Sequence, residues 1–310
     1  MRICIRNPEP DPQLFYPLVE GEERITVRRE DAVITAALAR ARGECRGLVV
    51  LVHGAASNAS RWEEFTEKTA LREHWDVLRF DLRGHGASPT RTPATLERHA
   101  GDIEALLRAA GHERAVILGH SLGAAIAMRF ADEHREAVKG LVLLDPLLSG
   151  CLTEKAIRMR RKRWMPVTLE IIGRFTRALG IERRLPFHSL RKGDEAARLK
   201  IAEGGEALEA FVKEYSSPWR DLVHIHLADY ARDLLEVGRP TPDLSPLRVP
   251  VLVIGASSGS FTSPERMREK VAGLAAGEFT LLECRHWPVT ECLGDLMHVV
   301  EDWAERRLGA

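Results

Sequence analysis

Gly119-His120-Ser121-Leu122-Gly123 is the stretch on which the reading of this chain turns. The residues before it, Ala115 to Leu118, form a short aliphatic run of strand length, and Leu122 to His134 after it read as a helix. A chain that passes abruptly from strand to helix needs glycines around the turn, because a Cβ there would collide with neighbouring backbone. Such a turn would hold the serine side chain clear of the sheet, above the helix N-terminus. A G-x-S-x-G string alone is weak evidence; between a predicted strand and a predicted helix it is strong.

Working outward, the same alternation extends in both directions. Leu48 to Val52, Trp75 to Phe80 and Val138 to Leu144 read as strands, and Arg61 to Glu73 and Thr95 to Ala110 as helices, the latter stopped by Gly111. Strands this apolar on both faces, separated by helices, predict a parallel sheet covered on both sides. Arg24 to Val27 and Val33 to Ala37 suit an antiparallel edge hairpin. The pattern breaks near Ser149 and resumes with strands at Val249 to Ile254 and Phe279 to Glu283 and helices at Pro264 to Leu274 and Thr290 to Arg307. Between the two parts lie helical patches without a convincing strand: Glu154 to Arg163, Val167 to Leu179, Glu195 to Tyr215 and Trp219 to Leu235. Pro240, Pro242, Pro246 and Pro250 mark the return to the sheet. The expected organisation is a first core segment over 1–148, a helical cap over 149–245 and a second core segment over 246–310.

The chain has 310 residues, ample for a large core, and 45 Lys+Arg balance 45 Asp+Glu. Zero formal charge argues against a general nucleic-acid binder. The five cysteines (Cys4, Cys45, Cys151, Cys284 and Cys292) lack a C-x-x-C pair and read as reduced thiols, neither a disulfide frame nor a zinc site. With no stretch near membrane-span length and no apolar signal core, a cytoplasmic protein without a membrane partner is the expectation.

Together the motifs resemble the α/β-hydrolase superfamily over nearly the whole chain. The resemblance rests on the elbow, on His53-Gly54-Ala55-Ala56, and on Asp81-Leu82-Arg83-Gly84-His85-Gly86-Ala87-Ser88. Leu141 to Pro146 and Arg285-His286-Trp287-Pro288 complete it, all in the family's order. It implies a mostly parallel eight-stranded sheet flanked by helices, with an inserted cap, and catalysis without a cofactor or metal. Ser121 would be the nucleophile and His286 the base that a serine hydroxyl needs. The backbone N–H groups of Leu122, after the nucleophile, and Ala55, placed by the resemblance, would receive the oxyanion. Asp81, Arg83 and His85 read as structural, and His224 and His226, two residues apart on a helix, face different directions.

The family's acid normally follows the strand before the last one. Here that loop reads Gly255-Ala256-Ser257-Ser258-Gly259-Ser260-Phe261-Thr262-Ser263-Pro264 and contains no carboxylate. Asp145, at the end of the strand after the elbow helix, is the candidate, an arrangement similar to that of haloalkane dehalogenases and the lactonase that opens zearalenone. A Ser–His dyad, or a serine hydroxyl or water in the acid's place, stays open.

Within the cap and beside the base, Trp164, Tyr215, Trp219 and Trp287, together with His120, are candidate contacts for a small-molecule substrate. Packing of the cap onto the core is the competing use of such aromatics. Arg158 and Arg160 to Arg163 form the most lopsided charge feature, expected to be a solvated helix face or a guide for an anionic substrate. The activity expected from the resemblance is hydrolysis of a carboxylic ester or lactone of largely hydrophobic character. Alternatives are a thioesterase or acyltransferase, a hydrolase of carbon–carbon bonds, or a ligand-binding module that has lost turnover. Aspartate nucleophiles serve haloalkane dehalogenases and epoxide hydrolases, so Ser121 disfavours both.

Overall fold

The structure, a computed structural model, describes residues 12–29, 32–90, 92–181, 185–215 and 217–309; for residues 207, 211, 214, 215 and 218 it describes the backbone alone. In chain order the strands are β1 (Glu22–Arg29), β2 (Ala32–Ala39), β3 (Leu48–Val52), β4 (Asp76–Phe80), β5 (Ala115–His120), β6 (Val138–Leu144), β7 (Val251–Ala256) and β8 (Gly277–Leu282). They form one eight-stranded sheet in the order β1-β2-β4-β3-β5-β6-β7-β8. The pairs β1–β2 and β2–β4 are antiparallel and all the others parallel. This is the eight-stranded, mostly parallel sheet that the motifs implied.

Burial follows from that order. Every residue of β3, β4, β5 and β7 is buried, as continuous aliphatic runs require when helices cover both faces, whereas the edge strand β1 alternates. Three helices precede the elbow's exit strand: α1 (Glu63–Lys68), α2 (Leu96–Ala110) and α3 (Leu122–Glu133). Leu96, Ile103, Leu106, Leu122, Ile126 and Phe130 from α2 and α3 fill one face of the sheet. The opposite face takes Trp62 and Phe65, then Leu296, Val300 and Trp303 from the far end of the chain.

Six helices stand between β6 and β7: α4 (Glu154–Arg161), α5 (Trp164–Ala178), α6 (Leu190–Glu203), α7 (Gly205–Tyr215), α8 (Pro218–Asp221) and α9 (Leu227–Val237). This is the segment read as the cap, and among its described residues no strand occurs. The chain closes with α10 (Pro264–Ala272), α11 (Pro288–Glu291) and α12 (Leu293–Ala304).

Four stretches read as helical are broken. In the cap, Glu195 to Tyr215 divides at Gly204 into α6 and α7, and Trp219 to Leu235 divides into α8 and α9, so His224 and His226 stand in the turn between two helices and not on one. The other two are in the core. The run from Arg61 to Glu73 is interrupted at Thr69, whose extended backbone (φ −66°, ψ 137°) ends α1 and whose hydroxyl caps a following 3-10 turn. The run from Thr290 to Arg307 is split at Cys292 (φ −139°, ψ 49°), which ends α11 and starts α12. By contrast α2 begins on its Thr95 cap and ends at Gly111, left-handed at φ 84°, as its sequence directs.

Candidate active site

Strands β3, β5 and β6 run parallel side by side and deliver three loops to one sheet edge. At the end of β5 the backbone reverses within one residue: Ser121 has φ 53° and ψ −110°, and α3 starts at the next position. Two close approaches make this turn a glycine turn. A Cβ on Gly119 would lie 2.2 Å from the Gly123 carbonyl oxygen, and one on Gly123 would lie 2.2 Å from that of Val52. The serine N–H donates to the Leu144 carbonyl oxygen at 3.1 Å, tying the elbow to β6.

Next to it, β6 is followed directly by Asp145, which is 1% exposed and also takes a positive φ, 40°. Its N–H donates to the Ile254 carbonyl at 2.7 Å, so β7 fixes where the carboxylate stands. His286 arrives from the loop after β8. Its Nδ1 lies 2.6 Å from Asp145 Oδ2 and its Nε2 3.0 Å from Ser121 Oγ. A carboxylate only accepts, so Nδ1 carries the proton and Nε2 is left to accept from the serine hydroxyl. The three side chains stand in line, with the imidazole of His286 between the Ser121 hydroxyl and the Asp145 carboxylate.

The loop that lacks an acid takes part in another way. Ser260 donates its hydroxyl to Asp145 Oδ1 at 2.7 Å and accepts the Thr262 N–H at 3.1 Å. Phe261 stands edge-on to the imidazole of His286, with ring centroids 5.3 Å apart. Ser260 therefore meets the carboxylate and neither replaces it nor leaves it unpaired. From sequence this loop stood out for its missing carboxylate; the one signal for Ser260 was a serine-rich loop at the family's acid position.

His120 belongs to the same scaffold. Its Nε2 lies 2.7 Å from the backbone oxygen of His286, to which it donates, and the two rings are 5.1 Å apart. The predicted substrate contact is thus engaged in holding the histidine loop. Burial, followed by the neighbouring His286, pushes its pKa down to about 3. The folded protein therefore binds fewer protons than the unfolded chain between that value and the ordinary imidazole range. Stability is complete above the unfolded pKa of about 6.5 and is lost as pH falls, with His120 alone contributing a loss of about 2 kcal/mol by roughly pH 5. His224, pushed down to about 4 by burial, adds to the same slope. His120→Gln keeps an N–H donor for the His286 carbonyl, so urea unfolding at neutral and mildly acid pH should give a shallower pH dependence than in the wild type.

The His53-Gly54-Ala55-Ala56 segment is pinned from both sides. His53, fully buried, accepts the Leu82 N–H at 3.0 Å through Nε2 and donates through Nδ1 to the Gly54 carbonyl at 2.8 Å. Ala56 is held at φ 47°, with its N–H on Asp233 Oδ2 at 3.3 Å and its carbonyl accepting from His224 Nε2 at 2.6 Å. His85 lies 2.9 Å from the same Asp233 oxygen. Burial lowers its pKa, but the Asp233 carboxylate, together with Asp229 and the Arg83 carbonyl, raises it on balance. Hence α9 fixes the loop that carries Ala55. Among the described residues the N–H groups of Ala55 and Leu122 meet no protein acceptor. For Leu122, first residue of α3, that is the ordinary state of a helix N-terminus.

Ala56, Ser121 and Asp145 are the non-glycine residues with positive φ among the described residues, and all three stand at this sheet edge. Backbone in that region is costly and persists where surrounding structure over-determines it. Asp81 matches its structural reading: its two oxygens accept the Ala59 and Ala87 N–H groups at 2.7 and 2.8 Å. Arg83 pairs with Asp102 in the same buried layer.

The aromatic candidates separate. Trp287 is half-buried with its ring 6.2 Å from that of His286. Trp164 and Trp219 are 67% and 80% exposed, so they face solvent. For Trp164 the reason is that α5 turns its Gly173 side to α9. The Tyr215 side chain lies outside the described residues. One group among the described residues has metal-ligand chemistry, Cys45, Asp76 and His112. It stands where β4 begins, at the sheet edge opposite Ser121, and its carboxylate is already engaged by Arg40 and the Ala41 N–H.

A family profile described as alpha/beta hydrolase fold matches residues 47–291, and the chain belongs to that family. Among curated relatives, the lipase LipV of Mycobacterium tuberculosis is 34% identical over 104 residues, 33% of this chain and 38% of that protein. The chain thus matches about two-fifths of the length of such relatives. Among solved structures, a thermophilic esterase from Thermogutta terrifontis is similar over 93% of this chain and 100% of that one, with a TM-score of 0.64 and 22% identity. An enol-lactonase from Burkholderia xenovorans covers 90% and is itself covered over 99%, with a TM-score of 0.64 and 20% identity. At these identities the structural likeness speaks for the fold.

Proposed function

We propose that this hydrolase cleaves a carboxylic ester or lactone through an acyl-enzyme formed on Ser121. The observation that carries the reading is the unbroken relay from Ser121 Oγ through His286 to Asp145. A serine hydroxyl is a weak nucleophile until a base takes its proton, and the Nε2 lone pair of His286 faces it at 3.0 Å. As Oγ bonds to the substrate carbonyl carbon, the proton passes to Nε2 and the imidazole becomes positive. Asp145 offsets that charge. Negative charge moves to the carbonyl oxygen, for which the N–H groups of Ala55 and Leu122 are the donors. His286 returns the proton to the leaving alkoxide; water, deprotonated by the same nitrogen, then releases the acid. In a lactone the leaving oxygen stays tethered to the product.

Ser260 is assigned the role of holding the Asp145 carboxylate in its orientation toward His286. Removing a hydrogen bond to a charged group should cost turnover without touching substrate binding, so Ser260→Ala is expected to lower kcat about tenfold with KM little changed. Equal kcat in steady-state assays on an activated ester would remove Ser260 from the mechanism. Trp287, beside the base, is the aromatic proposed to meet the substrate. An esterase and an enol-lactonase among the structural neighbours and a lipase among the relatives support the ester class.

The reading is tested by treating the folded protein with a fluorophosphonate and mapping the adduct. Stoichiometric labelling of Ser121, abolished in Ser121→Ala, together with turnover of members of an ester, lactone and acyl-thioester panel, is the expected result. Folded protein that neither labels at Ser121 nor turns over any of them would overturn it. Preference for the thioester would move the assignment within the class.

A further inference from the structure

Helix α5 is built inside out. Two of its three charged residues turn toward α9: Glu170 is buried and receives Arg232 Nε at 3.1 Å, and Arg177 donates to Asp229 at 2.7 Å, while the third, exposed Arg174, pairs with Glu170 on its own helix. Gly173 lets the two helices close, since a Cβ there would lie 2.6 Å from the Ala228 nitrogen. The opposite face is apolar and faces water. Trp164, Val167, Ile171, Phe175 and Leu179 recur at three- and four-residue steps along it, with Ile171 at 63% and Phe175 at 64% exposure. The hydroxyl on this face, Thr168, is satisfied by the Trp164 carbonyl at 2.9 Å. An uncovered apolar face of this extent marks an interaction surface.

The chain leading into the helix says what covers it. Arg158, Arg160, Arg161, Lys162 and Arg163 are all exposed, and among the described residues none pairs with a carboxylate. Five unpaired cations adjoin one end of an apolar face that begins with a tryptophan. That is the composition by which a helix settles into the headgroup layer of an anionic bilayer: the cations gather phosphates, and the apolar side chains enter the acyl boundary. A second copy of this chain offers little to those cations from the same surface. Of the carboxylates on α4, α5 and α9, Glu170, Asp229, Asp233 and Glu236 are buried, which leaves Glu154 as the one exposed acid against five cations. No helix among the described residues is long and apolar enough to cross a membrane, so α5 would lie in the plane of the interface.

We propose that the cap docks on anionic phospholipid surfaces through the outer face of α5 and the basic stretch before it. This revises the expectation of no membrane partner, which weighed the basic run as a solvated face and apart from its neighbour helix. Docking does not depend on the chemistry at Ser121.

The test is flotation of the purified full chain with vesicles of phosphatidylcholine alone or mixed with phosphatidylglycerol, at low and high salt. Binding to the anionic vesicles, weakened by salt, is expected. The double variant Ile171→Glu/Phe175→Glu should bind at least about tenfold more weakly, and Arg160→Glu/Arg161→Glu should lose the preference for phosphatidylglycerol. Both pairs are exposed, so unchanged thermal unfolding checks that the variants are folded. No binding to anionic vesicles, or equal binding by the folded double variant, would overturn the proposal. So would a wild-type dimer in sedimentation that Ile171→Glu/Phe175→Glu converts to monomer without any vesicle binding, which would assign the face to a second copy.

Discussion

Asp145→Asn is expected to lower kcat on an activated ester by about 10⁴-fold, with KM little changed. The size follows from proton bookkeeping at one nitrogen. The carboxylate accepts from His286 Nδ1 at 2.6 Å and thereby leaves Nε2 unprotonated toward Ser121. An asparagine can turn its amide N–H₂ toward Nδ1, which then accepts, and the ring proton moves to Nε2. The serine would face a donor where it needs an acceptor. The imidazolium formed during attack would also lose its compensating charge. Ser260 and the Ile254 carbonyl should keep the asparagine in place, so the fold survives and the loss is chemical. Single-turnover acylation isolates the step; a drop smaller than about tenfold would mean that Asp145 serves the fold and that Ser121 and His286 act as a dyad.

The second large effect is on stability. Gly123→Ala should cost at least about 3 kcal/mol, because its Cβ would meet backbone oxygens of Val52 and His53 at 2.2 and 2.7 Å. Neither oxygen can rotate away. Relief requires moving α3 off the sheet, and α3 lines the core with Leu122, Ile126 and Phe130. Gly111 supplies the control. It has a left-handed φ of 84° but open space around it, so Gly111→Ala should cost only about 1 kcal/mol. Urea midpoints compared with the wild type measure both, and equal costs would show that conformation and not contact governs these glycines.

The sheet was legible because its inner strands are continuous aliphatic runs bounded by turns. Leu48 to Val52 and Val138 to Leu144 appear in the structure with the ends read from sequence. Helix interiors were legible too, but not their interruptions at Thr69 and Cys292. Those depend on how the chain meets the sheet: the Thr69 hydroxyl reaches Glu301 of α12, a contact 232 positions away. For the site, the elbow and the histidine loop carry local signals. The reading of Asp145 rested on its place after the elbow helix, on the resemblance and on the vacancy in the later loop, and the geometry puts its carboxylate against His286. The contacts made by Ser260, Asp233 and His224 had no local signal of that strength: the serine-rich loop and the His224/His226 pair drew notice without showing what they touch. Each acts through a contact with a loop more than a hundred residues distant, and serine, aspartate and histidine in cap or loop segments are ordinary there. The outward face of α5 was hidden for a related reason: periodicity shows that a helix has an apolar side, and only packing shows which way that side points.

An acid that stands directly after β6 also changes how the centre is assembled. Ser121 and Asp145 both stand on the continuous β5–α3–β6 stretch, Ser121 between β5 and α3 and Asp145 directly after β6, joined by the Ser121–Leu144 hydrogen bond. In the proposed mechanism, nucleophile and acid therefore keep their spacing as parts of one hydrogen-bonded unit. His286 alone is brought from elsewhere, on a loop gripped by His120 and Asp145. Gentle warming that frees this loop would silence the enzyme while that unit stays folded, and cooling would restore it. Heat inactivation and global melting are then two separate temperatures, which amide exchange at the residues around His286 would resolve.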